Sequence, residues 1–394
     1  MTTSLSNYSF QDSYSWDKAL KRGMIGFVVS RLVTILGAGI VVVGNTVRDT
    51  WAKIVPVRGL TGLVRVFDNW DGHWYLQVVR FGYPHIIRPN VTYAHPDARA
   101  AFFPLFPKLV HYIDLIVPGG PVATALLVNI IVSFFFIYLI GCIARELFDN
   151  KTAEKSMIIA AFFPGSFVLT MAYSEALMLT IAAMCFVALR RRSWIWAGTL
   201  AMLVTMGRPN GIAIIAACAV ASFLAIRDER DWRSLFAPLL APWGFIGFMI
   251  FLRYRTHEPW AWFRVQRQAW KEGTSFGATA VERTFRFLLH PLSSPTTVLT
   301  GVTVIAMIIA LWFLYKYRLP AIYNAYIAVV LALMLIPATV TARPRFLFTA
   351  FPLIFPVARA LRDDDDSWWP LTLVVFGAGL VTITAVYGVR GAIP

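Results

Sequence analysis

The sequence predicts an all-α polytopic membrane protein with about eleven transmembrane helices and two long outside loops. Three observations lead there. Of the 394 residues, 58% are hydrophobic and only 14% charged, with a mean hydropathy of +0.63, whereas soluble domains carry about 25% charged residues. Long apolar runs recur along the whole chain, and a chain in lipid must satisfy its backbone within each segment, which selects helices. Basic residues gather at one set of run ends, the positive-inside pattern. No internal repeat or soluble domain is evident, so 1–394 reads as a single integral membrane domain.

Residues 1–22 are polar and end in Lys18, Lys21 and Arg22 before an apolar run, the pattern of an uncleaved first span with its N-terminus inside. Spans are expected at 24–44, 120–143, 157–172, 175–190, 194–207, 211–226, 236–252, 296–314, 321–341, 346–359 and 370–388. Several are shorter than the ~20 residues of a perpendicular span, which makes one or two pairs candidates for re-entrant segments. Inside segments hold Lys151, Lys155, Arg190, Arg191, Arg192 and Lys316, among others, whereas short outside segments hold only Arg208, Arg343, Arg345 and Arg390. The acidic run 363–366 falls inside, as a solvated loop. The long segments 45–119 and 253–295 both fall outside.

A net charge of +15 invites nucleic acid as a partner, but basic residues at span ends are explained by orientation and by anionic head groups. Membrane lipids are therefore the expected partners, and nucleic acid is not. Cys142, Cys185 and Cys218 all lie inside apolar runs without metal-ligand spacing. They read as small buried hydrophobes, with neither disulfide nor zinc.

The densest polar cluster is FDNWDGHWYLQVVRFGYPH, residues 67–85. Asp71 lies there beside Trp70, Trp74 and Tyr75. One reading is an aromatic anchor at the lipid boundary with a solvated aspartate. The other is a general base, since a carboxylate walled by aromatics is shielded from water and can take a proton from a hydroxyl. Gly72 would let a substrate approach closely. Asp68 precedes Asp71 by three positions, so on a helix the two share a face and raise each other's pKa. Asp71 is the preferred base, with Asp68 in reserve. His73 is either a proton relay or a simple hydrogen-bonding residue at the interface. The six histidines show no HxxxH or HExxH spacing, so no metal site is expected.

Three further polar sets interrupt the apolar runs: Tyr173, Ser174 and Glu175; Arg208, Pro209 and Asn210; Arg343, Pro344 and Arg345. The topology puts all three on the outside with Asp71, although nothing in hydropathy forces it, and so predicts one site there. Glu175 is either an early-turn residue on a helix dipole with Ser174 as its cap, or a functional ionisable group at membrane depth. Arg208 and Asn210 either end a span or face the cavity of Glu175. Arg343 and Arg345, with Arg264, Arg267 and Lys271, either snorkel to phospholipid phosphates or hold a lipid-linked phosphate through paired hydrogen bonds, with Arg343, Arg345 and Arg267 preferred and Arg208, Arg264 and Lys271 in reserve. No GxxxxGK[ST], GxGxxG or GxSxG occurs, so a nucleotide is not expected.

WDGHWYLQVVRFGY, AFFPLFP (101–107), FFPGSFVLTMAYSEALML (162–179) and MGRPNG (206–211), in this order, resemble the PIG-V family of GPI-anchor mannosyltransferases and its bacterial relatives. The resemblance covers residues 67 to 211, about a third of the chain, and continues loosely through the second outside loop and PRF at 344–346. It implies a GT-C glycosyltransferase, an all-helical membrane enzyme whose first outside loop carries a catalytic aspartate, here Asp71. Asp68, Trp70, His73, Trp74, Tyr75, Tyr173, Glu175 and Asn210 are then expected to line the site or meet the acceptor. The donor implied is polyprenyl-phosphate mannose, the acceptor a glycolipid or cell-envelope glycan, and the chemistry inverting, without nucleotide or metal cofactor. The location implied is a bacterial plasma membrane with an extracytoplasmic site, or the ER membrane in a eukaryote. A lipid or glycolipid transporter or flippase is the alternative; such proteins usually show repeats and helices broken at the midplane, whereas these polar groups gather on one face.

Overall fold

The structure, a computed structural model, describes residues 14–51, 59–291, 293–362 and 368–391. The acidic run at 363–366 and most of the polar N-terminal segment lie outside the described residues. Regular structure among the described residues is helical, apart from one isolated antiparallel bridge between Thr274 and Pro337.

The first half contains α1 (Trp16–Trp51), α2 (Gly59–Phe67), α3 (Asp71–Phe81), α4 (Leu105–Asp114), α5 (Gly120–Leu147), α6 (Asn150–Phe162), α7 (Glu175–Arg190), α8 (Trp194–Gly207) and α9 (Ala213–Glu229). The second contains α10 (Phe236–Leu240), α11 (Trp243–Thr256), α12 (Ala261–Ala269), α13 (Ala278–Leu289), α14 (Pro295–Lys316), α15 (Ala321–Leu335), α16 (Pro344–Thr349), α17 (Ile354–Ala360) and α18 (Trp368–Gly388). Helix α1 packs on α6 and α18, α5 on α6 and α7, α7 on α8, α9 on α15, and α13 on α14. The chain is an integral membrane protein.

Among the described residues, six helical stretches are long and apolar enough to cross a membrane: Trp16–Asp49, Gly120–Leu147, Pro209–Glu229, Trp232–Thr256, Pro295–Lys316 and Trp368–Gly388. Trp194–Gly207, Ala321–Leu335 and Phe351–Ala360 are shorter apolar helices. The expected span at 157–172 is not a single helix. Helix α6 stops at Phe162, and Pro164 and Gly165 open a 3₁₀ helix, Pro164–Leu169. Proline disfavours helical geometry at the residue before it, so the run breaks at Pro164 although it stays apolar on both sides. The expected span at 346–359 is likewise split into α16, a 3₁₀ turn at Phe351–Leu353 and α17. The first span is longer than its apolar run, because α1 has 36 residues, about 54 Å at 1.5 Å per residue. Both long segments are largely helical: 45–119 holds the end of α1 with α2, α3 and α4, and 253–295 holds the end of α11 with α12 and α13.

The break after α6 leaves backbone groups without helical partners inside the protein, and buried side chains meet them. Arg31, in the middle of α1 and buried, donates to the carbonyl oxygens of Ala161 (2.8 Å) and Ser166 (3.0 Å), and to the hydroxyls of Thr170 (2.9 Å) and Ser166 (3.0 Å). Asn129 of α5 donates to Met171 and to Tyr173 (2.8 Å), and Ser133 to Leu169 (3.1 Å). Arg31→Met would strip several of these bonds, and an unsatisfied buried polar group costs about 1–3 kcal/mol. Its thermal midpoint in detergent is expected to fall by several degrees; an unchanged midpoint would show that Arg31 does not hold this segment.

Candidate active site

Asp71 is the first residue of α3, and it follows Trp70 in the left-handed region at φ 52°. Such a conformation costs a non-glycine residue about 1–3 kcal/mol and persists only where its surroundings enforce it. Here α18 does the enforcing. The Trp70 indole donates to the Tyr387 carbonyl (3.3 Å), the Tyr387 hydroxyl donates to the Asn69 carbonyl (2.6 Å), and Arg390 donates twice to the Asn69 side chain (3.1 and 3.0 Å). From the other side, the Asp71 amide donates to the Tyr173 hydroxyl (3.2 Å), and the Ala172 amide to the Phe67 carbonyl (3.0 Å).

Glu175 opens α7, Arg208 follows α8 in an extended conformation, and Arg345 sits in the first turn of α16. Each lies at a break in an apolar run, and the four charges meet as an alternating square. Asp71 Oδ2 lies 2.7 Å from Arg345 and 3.9 Å from Arg208. Glu175 Oε2 lies 2.6 Å from Arg208, and Oε1 lies 3.9 Å from Arg345. The Glu175 side chain is 0% exposed, Arg345 6%, Arg208 9% and Asp71 15%. Two charges of each sign neutralise one another, which is what permits their burial; losing one partner of a buried pair typically costs about 3–5 kcal/mol. The Tyr75 and Ser174 hydroxyls share a 2.6 Å hydrogen bond, and Arg208 donates to both (3.4 and 3.3 Å).

A cavity of about 700 Å³ opens onto this square, lined by Asp71, Tyr75, Arg208, Asn210, Arg267 and Arg345 among others. Glu175 lies behind it. Both long loops build its wall. Trp74 of α3 meets Trp270 with ring centroids 6.2 Å apart, and Tyr93 and Phe102 pack on both. The Trp262 indole donates to the Ala101 carbonyl (3.1 Å). A strap at 272–274 also lines the cavity and is tied to the end of α15: Ser275 donates to the Ile336 carbonyl (2.8 Å), and Ala338 to the Gly273 carbonyl (2.9 Å).

The other expected site residues lie elsewhere. Asp68 sits in the turn before α3, so it shares no helix face with Asp71; burial pushes its carboxyl above the ordinary range. His73 is exposed against the edge of Trp74 and is not among the cavity-lining residues. Trp70 is turned to α18. Tyr173 supports Asp71 from behind, with its ring 5.6 Å from the Arg345 guanidinium. Ser174 makes no cap to α7, its hydroxyl being engaged by Tyr75 and Arg208. Gly72 is buried beside the Phe67 carbonyl and Ala172 and is not among the cavity-lining residues. Arg264 pairs with Glu258 and donates to the Ile87 carbonyl (2.8 Å), joining the two loops. Lys271 takes the left-handed conformation in the strap and is not among the lining residues. Arg343 runs along α14, bonded to the Thr300 hydroxyl (2.5 Å). Among the described residues, no three His, Cys, Asp or Glu side chains cluster as a metal ion would require.

ArnT from Cupriavidus metallidurans, solved with undecaprenyl phosphate bound, is similar in structure, with a TM-score of 0.53 and 14% sequence identity over 89% of this chain and 62% of ArnT. The apo oligosaccharyltransferase of Archaeoglobus fulgidus also aligns, with a TM-score of 0.47 and 13% identity over 92% of this chain and 56% of that one. The fold resembles that of ArnT. The likeness is one of fold alone, and this chain spans less than two thirds of ArnT's length. No protein-family model and no curated protein matches the sequence.

The supporting residues to which the sequence reading gave no part in the site are Arg31, Asn129, Tyr387 and Arg390. Arg31 had a signal, as a lone arginine inside the 24–44 apolar run. Tyr387 had none, because its partner Asn69 is more than three hundred positions away. Gly165 is the point where the irregular segment touches α16: a Cβ there would lie 2.2 Å from the Pro344 carbonyl oxygen, one residue before Arg345. Gly165→Ala is expected to displace α16 and separate Arg345 from Asp71, lowering activity at least tenfold while leaving helix content intact by circular dichroism. Wild-type activity would show that Arg345 does not depend on this contact.

Proposed function

We propose that the protein is an inverting glycosyltransferase that moves a sugar from a polyprenyl-phosphate carrier to a hydroxyl of a lipid-linked or cell-envelope glycan. The observation that carries the proposal is the asymmetry of the square. Of its two carboxylates, Asp71 reaches the 700 Å³ cavity while Glu175 is sealed behind it. One oxygen of Asp71 is held by Arg345, and Oδ1 makes no hydrogen bond among the described residues. The Arg345 guanidinium holds the carboxylate in place at the cavity, as a general base must be held. ArnT's bound undecaprenyl phosphate supports a polyprenyl-phosphate ligand for this scaffold.

In the proposed reaction, the acceptor hydroxyl attacks the anomeric carbon as its proton passes to Asp71, and the bond from that carbon to the phosphate oxygen breaks. The leaving phosphate gains one negative charge as Asp71 loses one. Neutralised, Asp71 releases its hold on Arg345, whose guanidinium then meets the departing phosphate beside Arg208 and Arg267. Charge passes from one anion to another without leaving the cavity, and the arginines supply electrostatic stabilisation where it develops. A single displacement inverts the anomeric centre. The resemblance to PIG-V proteins favours mannose as the sugar, a bacterial plasma membrane as the location and the extracytoplasmic side as the face of the site.

Transfer of mannose from purified polyprenyl-phosphate mannose to an extracted glycolipid acceptor tests the reading directly. Asp71→Asn should lower transfer about 10²–10⁴-fold, and Asp68→Asn should stay near wild type, both compared at matched thermal stability. An active Asp71→Asn would remove the carboxylate base. Arg267→Lys should raise the donor KM, whereas Arg343→Lys should leave it unchanged because Arg343 is turned onto α14; the reverse result would move the phosphate site. For the face, outside labelling of intact cells should modify Ser293→Cys and spare Ser193→Cys, and the opposite pattern would invert the proposed topology.

A further inference from the structure

Helix α16 has two working faces. Arg345 points to the charged square, whereas Leu347 and Phe348, with Ile354 and Val357 of α17, line a second cavity of about 800 Å³ lying between α14 and α18. Its lining is almost wholly apolar, and its polar groups sit at one end, where Lys316 closes α14 and Trp368 opens α18. That end is remote from the catalytic cavity. Arg343 bonds to Thr300 near the start of α14, and Asn69 bonds to the Gly388 carbonyl at the end of α18. Along α14 and α18 these points lie sixteen and twenty residues from Lys316 and Trp368, about 24 and 30 Å at 1.5 Å per residue.

We infer that this groove is a binding site for an anionic glycerophospholipid, with one hydrocarbon chain along the back of α16 and its phosphate at Lys316. A groove facing hydrocarbon does not stay empty, because lining atoms without neighbours forfeit their dispersion contacts. The choice of lipid follows from the mouth. Lys316 lies beside the rings of Trp312 (5.6 Å) and Tyr317 (5.3 Å), so one cation stands among aromatic side chains suited to the head-group level. A donor with its phosphate among Arg208, Arg267 and Arg345 cannot also place that phosphate at Lys316, so an anion held at that mouth belongs to a separate molecule. Its chain packs on Leu347 and Phe348 and thereby braces the short helix that carries Arg345.

The test uses the full chain in mild detergent and reads lipid retention by native mass spectrometry together with the thermal midpoint, neither of which depends on sugar transfer. Dioleoylphosphatidylglycerol should bind as one retained molecule and raise the midpoint, with dioleoylphosphatidylcholine, which has the same chains, retained less. Lys316→Gln should weaken retention of the anionic lipid about fivefold, the effect of one basic residue near an anionic head group, and leave the zwitterionic lipid unchanged. Ala306→Phe and Thr372→Phe fill the groove from opposite walls and should each abolish retention; using both guards against one failing to fold. Equal retention of the two lipids in wild type and all variants would mean annular contact only and overturn the inference. Displacement of phosphatidylglycerol by polyprenyl phosphate would overturn it too, by assigning the groove to the donor's tail.

Discussion

The pairing of Asp71 and Glu175 with Arg345 and Arg208 is the constraint around which the rest of the structure is arranged. Four charges cannot be taken out of water singly. They are tolerated together because each carboxylate lies within 4 Å of both guanidiniums and the set is neutral. Bringing them together requires four chain segments far apart in sequence to end or bend at one point. The helix ends and prolines beside Trp70, Ser174, Arg208 and Arg343 serve that requirement. The square is therefore both a structural junction and the source of the reactivity proposed for Asp71.

The irregular stretch between α6 and α7 carries that junction. Its 3₁₀ turn is packed under Pro344 through Gly165, its Ala172 is bonded to the end of α2, and its Tyr173 hydroxyl receives the Asp71 amide. A membrane interior has no water to satisfy broken backbone, so each break demands protein donors. Arg31 and Asn129 supply them. A residue in the first span thus holds, through hydrogen bonds, the segment that carries Tyr173 to Asp71.

The cavity and the apolar groove share α16 as a common wall. This divides the polar chemistry from the hydrocarbon by a single helix of two turns or fewer. The long loops, far from hanging free, close over the cavity as a packed aromatic wall in which Trp74 and Trp270 belong to opposite halves of the chain. Trp74 and Tyr75, which the sequence offers equally as an interfacial belt, are 4% and 3% exposed; Trp74 serves as internal packing, and Tyr75 turns its hydroxyl to Ser174 and Arg208 at the cavity.

Composition alone determined that this chain lives in lipid and is helical, because burying polar backbone in hydrocarbon leaves no other solution for runs this apolar. Local sequence also marked Asp71, Glu175, Arg208 and Arg345, since an ionisable residue beside a proline or aromatic break in an apolar run is rare enough to stand out. What it left undecided was which of the marked residues meet. Arg343 and Arg345 are two positions apart and look equivalent in sequence, yet one lies along α14 and the other grips Asp71. Asp68 and Asp71 look like neighbours on a helix, yet the left-handed Trp70 between them ends one element and begins another. Those outcomes depend on the long-range contacts of Pro344 with Gly165 and of Asn69 with Tyr387, which join residues that no local pattern relates. Helices follow from composition read within a few turns; the site follows from where those helices break and what packs against the break.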